Sequence, residues 1–500
     1  MNTLRQNWHW IFFLASLVLY IYLLSTPIVL TAVDLGRHSA NGRELLLGNY
    51  QILFENHYSF TMPRSNFVNH HWFFGVIVYV LDQTFGLAST QIFNMAVLSI
   101  SFFLFFKLLM KNGGKTISSI LAIIAIIFLS VRTEIRPESI GFLFLLHSLW
   151  QISKITQQNK INKTLIALLI IQQLFWVNIH ISFIFGIFLF FLFYGCSSFL
   201  SNPTLNNKTK SRLLFLAITL ILVSLINPNF VRGLVAPLNI FTDYGYSIVE
   251  NQTLLFLWRV ISHPILALYL PFAIFATLAF IYNFKKTNWY ERVIFFVGLA
   301  LGFLALRNLP IFAAFVFPIT AKTLKESLEK LTKSNSFSFS KNTAILVSAQ
   351  VYLLITVLVV TGTLHPSHHW RHRGIGQIAG ETKAIEFLQD QQLSAPIFNN
   401  YDIGSYLIYY LYPKMPVFVD NRPEAYNSDF LQKIYIKMQE DPQVWEQVVD
   451  QYQIETVIFG VNDITPWAQQ FLYFIEQEAN WEKIYLDQFI SIWVKKAFDY

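Results

Sequence analysis

The sequence predicts an α-helical polytopic membrane protein of about eleven spans with a C-terminal α/β domain on the outer side. Three observations carry this expectation. Hydrophobic residues make up 54% of the 500 and charged residues only 13%, against about 25% charged in an average soluble domain. The apolar residues fall in long runs with few or no charges, the mark of membrane spans. After residue 380 the pattern changes to short helix-like and strand-like stretches of mixed polarity, as in a water-facing α/β fold.

Taken in order, the apolar runs lie near 10–33, 88–110, 116–131, 139–153, 164–179, 181–200, 212–226, 265–283, 291–306, 309–321 and 343–361. The first, Trp10 to Val33, is long enough to span and lacks a small-residue cleavage site, so it is expected to be a retained helix rather than a signal peptide. A long first outer loop, 34–87, follows. Within it His71 to Phe85 is apolar but short, with Asp82 near its end, and is expected to lie along the membrane surface.

The lysines support that choice. With eleven spans and the N-terminus inside, Lys107, Lys111, Lys115, Lys154, Lys160, Lys163, Lys208, Lys210, Lys285, Lys286, Lys322, Lys325, Lys330, Lys333 and Lys341 all fall on the inner side. This is the asymmetry of the positive-inside rule. Counting 71–85 as a span would destroy it. The N-terminus is therefore expected in the cytoplasm, and everything after 361 outside a bacterial plasma (inner) membrane. Residues 1–361 read as the transmembrane domain, 362–379 as a linker carrying His365, His368, His369 and His372, and 380–500 as the extracytoplasmic α/β domain. In that domain helices are expected at Glu381 to Gln391, Tyr406 to Tyr412, Ser428 to Gln439, Pro442 to Gln451 and Pro466 to Glu478. Strands are expected at Pro396 to Phe398, Pro416 to Asp420, Glu455 to Phe459, Lys483 to Tyr485 and Phe489 to Val494.

Several functions lack their motifs. There is no Walker loop, no GxGxxG after a strand, no HExxH and no GxSxG, so nucleotide and serine hydrolysis have no support. No nucleic-acid partner is implied, because topology explains the lysines. The single cysteine, Cys196, lies in an apolar run and can form no intramolecular disulfide.

Up to residue 361 the outer basic residues are all arginines, among them Arg37, Arg43, Arg132, Arg136, Arg259 and Arg307. Arginine is always charged and presents a fixed fork of donors that suits phosphate. Asp34, at the outer end of the first span, is costly there unless paired or hydrated. It reads either as a helix-end acid paired with Arg37 or as a general base, with the arginines stabilising a departing phosphate. His38, His57, His70, His71 and His180 with nearby acids could bind a divalent metal, though no spacing is diagnostic. Asn399 to Tyr406 follows a strand, where α/β sheets place ligands. Asp420 and Arg422 read as accessory site residues or as a structural pair that docks the domain.

An acid just after the first span, a long outer loop and a surface helix resemble the GT-C class of membrane glycosyltransferases, in particular the protein mannosyltransferase and aminoarabinose transferase-like superfamily. The motifs that carry the resemblance are Asp34-Leu35-Gly36-Arg37-His38, Asn41-Gly42, Arg136-Pro137, Trp176 to His180, Phe398 to Leu407 with one extra Asn, and Val417 to Arg422. They cover most of the chain. The resemblance implies a polyprenyl-phosphate-linked sugar donor and a glycan, lipid or protein acceptor on the outer side, in the cell envelope. It implies Asp34 as the base. Arg37, His38, Arg136, Asn178, His180 and Arg307 are candidates for substrate and phosphate binding, and His70 and His71 for accessory roles. Many members carry two adjacent acids where this chain has Asp34-Leu35, so a second acid would be Glu44, Glu55 or Glu134. The alternatives are a transporter or flippase of a lipid-linked or anionic solute, and a non-catalytic assembly subunit. Against transport stand the scarcity of mid-span charges and the lack of an internal repeat.

Overall fold

The structure, a computed structural model, describes residues 7–200, 203–241, 245–246, 248–333, 340–363, 373–391, 393 and 396–496. It is a helical multi-pass membrane protein with a small C-terminal sheet. Ala88–Leu129, Ile181–Phe199, Ile265–Tyr282 and Asn342–Val360 are each long and apolar enough to cross a membrane. Their aromatic and aliphatic faces, with those of the shorter helices between them, form one continuous core. Within the expected linker 362–379, residues 364–372, which include its four histidines, lie outside the described residues.

The first helix is shorter than its apolar run suggests. It spans Trp8–Leu24, and the chain then extends to a 3-10 turn at Leu30–Ala32. Pro27 has no backbone N–H and pushes the residue before it out of the α region. The groups freed by this break are taken up by the chain that follows the last span: Gly374 N donates to Ser25 O, Ile28 N to Gly376 O, and Ile378 N to Ile28 O. The next two expected spans form one unit, Ala88–Leu129, broken at Gly114, whose φ of 69° only glycine adopts cheaply.

The segment 34–87, expected as the first outer loop and called here the first outer segment, is also more ordered than its polarity suggests. Leu35–Leu46 is a helix, and Trp72–Phe85 is a second helix packed along it. Glycines permit the approach: a Cβ on Gly42 would sit 2.3 Å from Gly75 O, and one on Gly75 would sit 2.7 Å from His38 O. Leu35, Ala40, Leu45, Phe74 and Val78 share a core with Ile385, Leu388, Ile403, Tyr406 and Leu407 of the C-terminal region.

The C-terminal sheet has the order β1 (Ile397–Asn399), β2 (Thr456–Gly460), β4 (Ile490–Lys495), β3 (Trp481–Leu486). The β1–β2 pair is parallel and the other two pairs are antiparallel. Helices Lys383–Gln391, Gly404–Leu411, Pro442–Tyr452 and Pro466–Ile475 accompany it. Two local expectations are corrected. Pro416 to Asp420 is no strand of this sheet, because Val417 bridges instead to Ser59 of the first outer segment. Phe430–Ile436 is a π-helical stretch that runs into the short α-helix Lys437–Glu440.

Candidate active site at Asp34

Asp34 occupies the N-cap of the Leu35–Leu46 helix, where an aspartate ordinarily turns its carboxylate onto the first free N–H groups. Here it makes no such bond. The capping role passes to Ser405, whose Oγ accepts from Arg37 N at 2.9 Å. That contact needs close approach, and Gly36 supplies it: a Cβ there would lie 2.7 Å from Ser405 O. Gly404 permits a similar approach in the next layer inward, against Val419 O and Asp420. Gly36 therefore lets the Asp34 motif close on Ser405, and Gly404 lets the helix that carries Ser405 close on Val419 and Asp420.

Released from capping, the Asp34 side chain is 20% exposed. Its Oδ1 accepts from Asn421 Nδ2. Its Oδ2 lies 3.5 Å from Arg136 Nη1 and 3.8 Å from Arg37 Nη2. The Asn421 amide also accepts from Arg37 Nε at 3.2 Å. One amide thus orients both the acid and its arginine.

Arg136 connects Asp34 to a wider cluster. Its guanidinium lies 2.9 Å from Glu134 and 3.2 Å from Glu250. Arg132 lies 2.9 Å from Glu250, 3.6 Å from Glu134 and 3.7 Å from Glu138. Burial pushes Arg136 toward the neutral form, but Glu250, Glu134, Asp34 and Glu138 outweigh it and hold the proton on more tightly than usual. Burial likewise raises Glu138, yet Arg132, His180 and Arg136 overcome this and hold the carboxyl well below its ordinary range. Arg307 sits on the Leu306–Asn308 turn, which packs against the Val249–Asn251 turn that carries Glu250. Burial lowers the Arg307 pKa, while Glu138 and Glu250 oppose the shift.

The histidines form a neutral wall. His38 meets His71 edge-on with ring centroids 5.6 Å apart, and His71 stacks on His180 at 5.4 Å. His180 Nδ1 is 2.7 Å from Ser182 Oγ, and its Nε2 is 4.0 Å from Glu138. Burial, with neighbouring cations or histidines, lowers His70 and His180 to about 4 and His38 and His71 well below their usual value. Positive charge in the site is therefore arginine's. Among the described residues no group of three or more His, Cys, Asp or Glu is placed to hold a metal ion.

Other candidates lie elsewhere. Asn178 is a structural joint: it accepts from Trp72 Nε1 at 2.9 Å and donates to Leu174 O and Ile226 O. Glu44 is bound to Asn49 Nδ2 at 2.6 Å and Arg43 Nε at 3.2 Å, with His57 at 3.9 Å. Glu55 pairs through its backbone with Asn66. Asp420 and Arg422 form a buried two-point ion pair, with both N–O distances 2.6 Å. Arg422 also donates to Asn56 at 2.8 Å and lies over the rings of Tyr58 and Phe67. This pair fastens the first outer segment to the C-terminal region.

Sequence reasoning gave Glu138, Glu250, Ser405 and Asn421 no site role of their own, and Arg132 only a place among the outer arginines. Asn421 stood inside the Val417 to Arg422 motif, and Arg132 and Glu138 flank Arg136. Glu250 stood in the long polar loop 227–264, one of several expected to converge on a cavity, with no motif to mark it. Asp402, in the same motif as Ser405, reaches solvent.

No protein-family model matches this sequence, and no curated protein sequence does. Solved structures do match the fold. The oligosaccharyltransferase AglB from Archaeoglobus fulgidus, in complex with an inhibitory peptide and a dolichol-phosphate, superposes with a TM-score of 0.62 at 12% identity, over 99% of this chain and 75% of that one. The mycobacterial arabinofuranosyltransferase AftD gives 0.54 at 14% identity over 99% of this chain, which spans 42% of the AftD chain. ArnT from Cupriavidus metallidurans gives 0.52 at 11% identity over 98% of both chains. The fold of this chain is the one that these membrane transferase structures share.

Proposed function

We propose that this protein is a membrane glycosyltransferase that moves a sugar from a polyprenyl-phosphate-linked donor to an acceptor on the outer side of the membrane. The observation that carries the reading is the Asp34 carboxylate, freed from capping its own helix and oriented by Asn421 beside Arg136 and Arg37. Likeness to transferase structures, one of them in complex with a dolichol-phosphate, agrees with it.

In this reaction Asp34 takes the proton from the acceptor's nucleophilic group as that group attacks the anomeric carbon of the sugar. The bond from that carbon to the phosphate oxygen breaks, and the phosphate leaves with the electron pair. Arg136, Arg132 and Arg307 offer fixed positive charge to the leaving group, which costs little reorganisation at the moment of transfer. The neutral histidine wall adds polar contacts without adding charge. Residues 380–500 act as the extracytoplasmic domain and supply Ser405 and Asn421 to the site.

Asp34→Asn keeps the shape and removes the base. With a polyprenyl-phosphate sugar and purified protein, it should abolish release of the lipid phosphate while thermal stability changes little. Transfer at the wild-type rate by this variant would overturn the role of Asp34.

A further inference from the structure

Glu250 approaches the arginine cluster from far along the chain. Glu134 and Glu138 belong to the same short segment as Arg132 and Arg136, so those pairs are local. Glu250 lies more than a hundred residues onward, on the Val249–Asn251 turn. Its Oε2 is 2.9 Å from Arg132 and 3.2 Å from Arg136. One carboxylate oxygen thus bridges two guanidinium groups, and the turn that carries it packs against the turn of Arg307. Two guanidinium forks converging on one oxyanion are also the geometry that recognises a phosphate.

Charge makes the same point. The cluster holds four guanidinium groups, on Arg37, Arg132, Arg136 and Arg307, and four carboxylates, on Asp34, Glu134, Glu138 and Glu250. With the histidines neutral, the cluster is neutral. A sugar joined to a lipid through a phosphodiester carries one negative charge, so its entry beside Glu250 would leave an uncompensated anion in a partly buried site. If Glu250 withdraws, the remaining charge of +1 matches the donor.

We propose that the Glu250 carboxylate holds the place of the donor's phosphate between Arg132 and Arg136, and that donor binding exchanges one for the other. This rests on the transferase reading above and adds to it the residue that sets donor affinity. Glu250 is an internal competitor, so removing its charge strengthens donor binding. A residue that touched the donor favourably would do the opposite.

The test is direct binding of undecaprenyl phosphate to the full-length protein in lipid nanodiscs, with undecaprenol as the uncharged control. Glu250→Gln should bind undecaprenyl phosphate about tenfold tighter than wild type, the scale of a lost charge-assisted bond, with undecaprenol unchanged. Without ligand the variant should melt at a lower temperature than wild type, because two arginines lose a partner, and the phosphate lipid should restore the loss. Equal or weaker binding by Glu250→Gln overturns the exchange and leaves the transferase reading standing. If neither protein binds the lipid, the exchange is likewise overturned, and the transferase reading is then judged by the Asp34→Asn assay alone. Should Glu250→Gln not fold, Glu250→Asp, which keeps the charge but shortens its reach, must shift affinity in the same direction.

Discussion

Asn421 does at residue scale what a sequence shows least well. Its amide donates to Asp34 and accepts from Arg37, so a single neutral side chain sets the direction of the acid and its cation together. Asn421→Ala should leave Asp34 charged but free to swing toward Arg136. A hydrogen bond to a charged group contributes about 1.5–3 kcal/mol, so kcat should fall about 10- to 100-fold. The KM for the donor should change far less, and steady-state transfer assays separate the two. Asp34, Arg37 and Arg136 were legible from the sequence because acids and arginines beside apolar runs are conspicuous. Asn421 and Ser405 were not, since a neutral side chain gains its meaning from a partner hundreds of residues away. Glu44 and Glu55 misled for the converse reason. They are acids in the right segment, yet the helix turns Glu44 toward Asn49 and His57.

Among elements, the pair Leu35–Leu46 and Trp72–Phe85 fixes where Asp34 stands. Its backbones approach closely at Gly42 and Gly75. In Gly42→Ala the new methyl group would meet Gly75 O at 2.3 Å and Tyr79 Cβ at 2.6 Å, both too close to keep. Separating the helices should cost about 1–3 kcal/mol, read as a lower melting temperature. Because Asp34 leads one of the two helices, transfer should fall as well. The tendency of His71 to Phe85 to be helical was visible in its apolar composition. The helix at Leu35–Leu46 was hidden by its own chemistry: Gly36, Arg37, His38, Asn41 and Gly42 read as loop, yet all are buried. Arg37 and His38 are polar because they belong to the site, Asn41 because it accepts from Tyr58, and Gly36 and Gly42 are small because other helices lie against them. The first span was overextended because hydropathy continues through Pro27, whereas helix geometry does not.

For the whole molecule, the presence of helices long and apolar enough to cross a membrane and of a small C-terminal sheet followed from hydropathy and alternation, which are local properties. How the two regions join was not local. The Asp420–Arg422 pair, Asn56 and the rings of Tyr58 and Phe67 form a clasp between the first outer segment and the C-terminal region. Arg422→Ala would leave Asp420 buried without its cation, which typically costs about 3–5 kcal/mol. The variant should be more open to limited proteolysis in both segments at once. Asp34 should lose alignment with it, because Asn421 neighbours Arg422. Cleavage confined to the C-terminal region would show that the clasp does not couple the two.

The bond from Asn421 to Asp34 joins positions separated by 387 residues. A ribosome adding about 5–20 residues per second needs roughly 20 to 80 s to pass from one to the other. During that interval the acid has left the ribosome, but its orienting amide has not been made. On the proposed transferase reading, an unfinished chain therefore lacks an aligned base until Asn421 is made and folded against Asp34.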